Sequence, residues 1–165
     1  MAADDLLLRQ APHSPQAEQA VLGSMLIDPD CIKDVMDKLQ PEDFYLRANR
    51  DIFETIYHMF IYSRPIDGVT VAGEMERNGV YNDNTRDYLV QLMDVTPTSA
   101  NVMEYVKIVL DKSLMRQVAA AAGSITAMVQ EGNGDAGDML ESAEQKVYAI
   151  RRGRSAQNMV TVSMV

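Results

Sequence analysis

Across 165 residues the chain carries 24 acidic against 15 basic side chains, a formal net charge of −9, and 47% of its residues are hydrophobic. That is enough apolar matter for the core of one domain, or of a compact domain with an appendage. The acidic balance excludes a surface built chiefly to hold phosphate backbones, because such affinity comes from Lys and Arg displacing condensed counterions.

Aromatic residues are sparse and Trp is absent, so the expected core is aliphatic and rich in methionine, which suits an all-α fold better than packed strands. Cys31 is the single cysteine, which rules out an intramolecular disulfide and makes a reducing cytoplasm the simplest compartment. It sits among Ile32, Val35 and Met36, a structural setting. Asp4 and Asp5 stand where a secretory signal needs basic residues. No run approaches the roughly 20 apolar residues of a membrane span, and no membrane partner is expected.

Residues 1–13 show no sustained period and read as a flexible arm. Ser14 then offers a capping hydroxyl and Pro15 the first helical position, opening a helix with Val21, Leu22, Met25 and Leu26 as its apolar stripe. Asp28-Pro29-Asp30 stops it. A second helix follows, in which Ile32, Val35, Met36 and Leu39 recur at helical spacing. Pro41 breaks the pattern, and after the PEDF turn a third helix aligns Ile52, Phe53, Ile56, Tyr57 and Phe60 as the expected centre of the core. Arg64 to Gly68 reads as a loop. Thr70 to Asn78 predicts a short helix closed by Gly79 in the left-handed conformation, and a fifth helix from about Asn84 to Met93 buries Leu89 and Leu92. Residues 14–97 are thus expected to form a compact bundle.

Beyond Thr96-Pro97-Thr98 the character changes. Ser99 can cap a helix that meets no strong stop before Gly132-Asn133-Gly134, about 30 residues and 45 to 50 Å long. Val106, Leu110, Leu114, Val118, Ala121, Ile125 and Met128 form one stripe along it. Ala119 to Ala122 with Gly123 present little bulk, so another helix could approach closely there. After the Gly-Asn-Gly turn, Met139, Leu140, Ala143, Val147 and Ile150 lay out a matching face, and residues 98–152 are expected to fold as an antiparallel hairpin. Met103, Ile108, Met115 and Val129 lie off the stripe. A second copy covering them is the favoured reading over the bundle folding back, with Met103, Met115 and Met139 as methionine contacts adaptable to a partner. Residues 153–165 read as the start of a polar linker, ending in the apolar MVTVSMV.

Chemistry-bearing patterns are few. Gly68–Gly73 and Gly132–Gly137 imitate the glycine spacing of a phosphate loop, but Glu74-Met75 and Asp138-Met139 stand where a Lys and a Ser or Thr are needed. His13 and His58 have no second ligand at metal spacing. Asp28, Asp30 and Asp34 read as caps and a solvated face. Arg151, Arg152 and Arg154 make a small basic cluster, favourable to a helix C-terminus and open to an acidic partner. No catalytic, cofactor or metal residue is assigned.

The run PHSPQAEQAVLG from Pro12 to Gly23 is similar to the opening of bacterial replicative DNA helicases of the DnaB family. So are Pro41-Glu42-Asp43-Phe44-Tyr45, Ile52-Phe53, and Pro65-Ile66-Asp67 with Val69-Thr70-Val71. Tyr88-Leu89, Pro97, Ala100-Asn101, Tyr105 and Ala143-Glu144-Gln145-Lys146-Val147 extend the likeness from Pro12 to Arg152. The chain resembles the N-terminal domain with the first linker residues. Asp83-Asn84 depart from the family's frequent Gly-Gly pair, and Gln16 replaces a common Glu, which touches a loop and a surface but not the fold.

The resemblance implies a domain that pairs through helical hairpins, three pairs making the collar of a hexamer that docks the C-terminal domain of primase and works with a helicase loader. It implies self-association through Met103, Val106, Leu110, Leu114, Met115, Val118, Ala119, Ala122, Gly123, Met139 and Val147, and partner docking through Gln16, Tyr88, Ile125 and Met128. ATP and magnesium belong to a downstream motor, so this fragment itself is expected to be no enzyme and to bind nucleic acid weakly or not at all. The rival reading is a free-standing adaptor or phage-type regulator of the same fold, and a small acid-base enzyme is a third. A phosphate-binding loop in the sequence past Val165 would decide for the helicase.

Overall fold

The computed structural model describes the backbone of residues 10–163 and side chains as far as Gly153. The expected arm falls largely on residues 1–9, outside the described residues, as do the side chains of Arg154 and the MVTVSMV tail. Seven α-helices and two 3-10 turns make up the described secondary structure, with no strand among the described residues. They fall into two compact units, Ser14–Asp111 and a unit comprising Met1–His13 and Lys112–Val165.

In the globular unit, α1 spans Pro15–Ile27. Ser14 is its cap, with Oγ accepting from the Ala17 N–H at 3.2 Å, and Pro15 occupies its first turn. Val21, Leu22, Gly23, Ser24, Met25 and Leu26 are all buried in succession. A helix hidden around its whole circumference is a central one, so the centre of the core is α1 and not the third helix alone. The reason is that α1 meets both α3 (Arg47–Ile61) and α5 (Thr85–Asp94).

The second expected helix is shorter than its apolar spacing suggests. A 3-10 turn at Pro29–Cys31 leads into α2, Ile32–Met36. Leu39 remains fully buried through a turn in which its N–H donates to the Val35 carbonyl at 2.9 Å. Pro41 accounts for the early stop, since the residue before proline is pushed to extended backbone, and Gln40 has φ −116° and ψ 160°. A second 3-10 turn, Pro41–Asp43, then drops Phe44 into the core, its ring centroid 4.7 Å from that of Phe53.

Along α3 the inward positions are Ile52, Phe53, Ile56 and Met59, while Phe60 is 37% exposed. Phe60 was expected on the buried line; Met59 takes that place one residue earlier. The fourth helix, α4, spans Gly68–Arg77, two residues ahead of the expected start. Its start is set by Asp67, whose Oδ1 accepts from the N–H groups of Val69 and Thr70 at 2.9 and 2.8 Å, while Thr70 Oγ1 accepts from the Asp67 N–H. Gly79 ends it at φ +75° as expected, with the Gly79 and Val80 N–H groups closing back on the Glu76 and Met75 carbonyls.

The long helix α6 spans Val102–Glu131, 30 residues, and α7 spans Ala136–Ser163. Ser99 does not cap α6 as expected. Its hydroxyl donates instead to Asp28 Oδ2 at 2.5 Å, tying the segment before α6 to the end of α1. The first turns of α6 belong to the globular unit, with Val102, Val106 and Val109 buried in its core, so the compact units divide between Asp111 and Lys112 instead of after Pro97. Gly132 and Gly134 turn the chain at φ +66° and +119°, and Asp135 caps α7, its Oδ1 accepting from the Asp138 N–H at 2.9 Å. The backbone of α7 continues as helix past Gly153, where a linker was expected. The fold class is the one anticipated: a bundle of short helices followed by a long helical hairpin.

Candidate docking surfaces

Within the hairpin unit, exposure divides the side chains of α6 and α7 by face. Leu114, Ala121, Ile125 and Met128 on α6, and Met139, Ala143 and Ile150 on α7, are half-buried at steps of three, four or seven residues, the recurrence of one face along each helix. Met115, Val118 and Val129 on α6 are 51%, 54% and 57% exposed, and Leu140, Val147 and Tyr148 on α7 are 63%, 57% and 63% exposed. Met115, Ala122 and Val129 repeat at seven residues, as do Leu140 and Val147, so each helix carries a second, outward apolar line. Ala119, Ala122 and Gly123 are exposed, and nothing lies within 4 Å of where a side chain at Gly123 would begin. Arg116 Nη1 donates to the Pro12 carbonyl at 2.8 Å, so the last residues before α1 are bonded to this unit.

The expected self-association residues are therefore not one surface. Val106 is closed inside the globular core and Leu110 packs against it; Leu114 and Met139 are half-buried. Met103, Met115, Val118, Ala119, Ala122, Gly123 and Val147 are exposed. Sequence reasoning does not single out Tyr148. The signal was present: it neighbours Val147, seven residues beyond Leu140, and an exposed tyrosine has an apolar ring to bury.

The four expected docking residues are likewise divided. Gln16 is exposed on α1, while Ile125 and Met128 are half-buried in the hairpin unit. Tyr88 is committed inward. Its hydroxyl donates to Asn49 Oδ1 at 2.5 Å. Asn49 Nδ2 and the Leu46 N–H approach Glu18 Oε1 at 3.5 and 3.3 Å. This buried chain of polar groups links α1, α3 and α5, and burial raises the Tyr88 pKa against the lowering effect of its hydrogen bonds.

Elsewhere the structure offers little reactive chemistry. Desolvation, with Asp28 adding to it, pushes the Cys31 thiol up to about 11, so the thiolate that would react is scarce at neutral pH. No group of three or more His, Cys, Asp or Glu side chains is placed to hold a metal among the described residues. His13 Nδ1 lies 2.7 Å from the Ala11 carbonyl, and His58 is exposed, 3.9 Å from Glu54. Gly68 and Gly73 lie inside α4, so that span is helix and not a phosphate loop. Arg151 and Arg152 are exposed. Among the described residues no helix is long and apolar enough to cross a membrane.

The described residues thus form an all-helical protein, a globular bundle with two long helices that keep outward apolar lines. Residues 10–111 match the family model for the DnaB-like helicase N terminal domain, and the chain belongs to that family. It is 34% identical over 158 residues to the replicative DNA helicase DnaB of Mycobacterium leprae, covering 92% of this chain and 26% of that protein. It is 32% identical over 149 residues to that of Pasteurella multocida, covering 89% and 32%. The chain thus spans about a quarter to a third of the length of these relatives. Among solved structures, the N-terminal domain of DnaB helicase from Mycobacterium tuberculosis superposes with a TM-score of 0.78 at 35% identity, covering 86% of this chain and 99% of that one. The corresponding Helicobacter pylori domain gives 0.62 at 24% identity, covering 69% and 89%, a likeness of fold.

Proposed function

We propose that this chain is the self-association and docking domain of a replicative DNA helicase. Chains pair through the outward apolar lines of the hairpin unit, three pairs form the collar of a hexamer, and the collar docks the C-terminal domain of primase and cooperates with a loader. ATP-driven unwinding, with its ATP and magnesium, belongs to a motor domain of the whole protein.

The observation that carries this reading is the set of six outward side chains, Met115, Val118, Val129, Leu140, Val147 and Tyr148, each more than half exposed. Covering a half-exposed side chain of this size is worth about 1 kcal/mol. Six on each of two copies supply about 12 kcal/mol against an association cost of about 4–15 kcal/mol, so at the low end of that cost pairing reaches the micromolar range. Primase docking draws support from the Helicobacter pylori domain, whose structure was described together with its interactions with primase.

Sedimentation across concentration tests the pairing. The protein is expected to self-associate, and Met115→Asp or Val118→Asp to weaken the dimer at least tenfold, since each would bury an unpaired carboxylate. A strict monomer at about 100 μM, about a hundredfold above that micromolar value, would overturn it. Titration with the isolated C-terminal domain of primase tests docking, and the absence of any complex would remove that part of the reading.

A further inference from the structure

A second surface lies on the globular unit, on α4 and α5, and includes none of the six outward side chains of the hairpin unit. Val69, Ala72 and Gly73 on α4 face Leu89, Val90 and Met93 on α5 across a trough of about 540 Å³. Each set recurs at the spacing of one helix face. Gly73 deepens the trough, since a side chain there would meet nothing within 4 Å. Leu89 is buried at its floor, whereas Val69 and Val90 are 77% and 47% exposed at its edges. Leaving two valines open to water on facing helices costs solvation that a partner would recover.

The edges carry charge of one predominant sign. The lining carries Asp67 and Glu76 on the α4 side and one basic group, Arg86; Asp87 and Asp94, three and four residues from Val90, lie on α5 outside the lining. All five are exposed. This acidic balance disfavours nucleic acid and anionic lipid, and it complements lysine or arginine. Each wall is a ten-residue helix, so the trough is about 15 Å long, the length of nearly three helical turns.

We propose that the trough between α4 and α5 docks an amphipathic helix of a partner protein, one whose apolar face is bordered by lysine or arginine. The apolar face covers Val69, Ala72, Val90 and Met93, and the basic borders meet Asp67 and Glu76 on the α4 side and Asp87 and Asp94 beyond Val90. This is recognition of a helix in a groove, with charge setting selectivity and approach.

The test uses the full chain and a fluorescein-labelled synthetic helix of about 14 residues, with leucines on one face and lysines at its borders, beside a counterpart with glutamates at the borders. Anisotropy reads affinity, and methyl resonances of Val69, Val90 and Met93 read location. The lysine helix is expected to bind at least tenfold more tightly than the glutamate helix and to shift those methyls. The double substitution V69S/V90S is expected to weaken it about tenfold, Glu76→Lys to weaken it, and Met115→Asp to leave it unchanged, with circular dichroism establishing that each variant is folded. Equal binding of the two helices, undiminished binding to folded V69S/V90S, or shifts confined to hairpin methyls would each overturn the proposal. So would concentration-dependent shifts of the trough methyls without any helix added, which would assign the surface to a second copy of this chain.

Discussion

Ser63 closes α3 with a backbone φ of +52°, the one non-glycine residue with positive φ among the described residues. Its N–H donates to the Phe60 carbonyl at 3.0 Å and the Arg64 N–H to that of Met59 at 2.9 Å, a left-handed closure that glycine adopts without the clash of a Cβ. Ser63→Gly removes that clash but enlarges the freedom of the unfolded chain. The expected net is a gain of about 0.5 kcal/mol, read as a higher midpoint in urea denaturation. Asp67 offers a pH-dependent counterpart. Hydrogen bonds from the backbone of Thr70, foremost, hold its carboxyl below the ordinary aspartate value. A lowered folded pKa means that its contribution is complete above about pH 4 and is lost as pH falls through the folded value. Asp67→Ala should cost about 1 kcal/mol at pH 7, a difference that shrinks by pH 2, when urea midpoints of the two proteins are compared at both values.

Between elements, α1 and α5 approach closely at Gly23. A Cβ there would stand 2.0 Å from Thr96 Oγ1 and 2.4 Å from the Leu92 carbonyl oxygen, and a backbone carbonyl within a helix cannot rotate aside. Gly23→Ala therefore forces the helices apart, at an expected cost of about 3 kcal/mol, although alanine favours helix by about 1 kcal/mol. Gly73→Ala in α4, where the space is open, should show the helix preference alone and gain about 1 kcal/mol. Thermal denaturation of the two variants should move in opposite directions; a loss at both positions would mean that close packing is not what Gly23 supplies. The Arg64–Glu74 pair at 2.8 Å joins the segment after α3 to α4, and the Arg77–Glu74 pair at 3.4 Å lies within α4; both are at the surface and add little to this balance.

At the scale of the whole molecule, the net charge of −9 and the distribution of exposed apolar groups point toward protein partners. Much of this was legible beforehand, because it rests on local rules. The Ser14-Pro15 start of α1, the left-handed Gly79, the 30-residue α6 and the Gly-Asn-Gly turn each follow from a few adjacent residues and a helical period. What helical period could not supply was depth. Val106 and Val118 lie on one apolar stripe in the sequence, yet Val106 is sealed in the globular core and Val118 is open to solvent, because the globular unit claims only the first turns of α6. Nor could spacing reveal the trough lined by Val69 and Val90, which exists only where two helices distant in sequence lie side by side.

The sequence by itself determined the order of the helices, several of their caps and turns, and the family, since capping, proline and periodicity act within a few residues. Only the tertiary structure decided which apolar faces are used up in the core and which remain exposed, since burial depends on what the rest of the chain brings alongside.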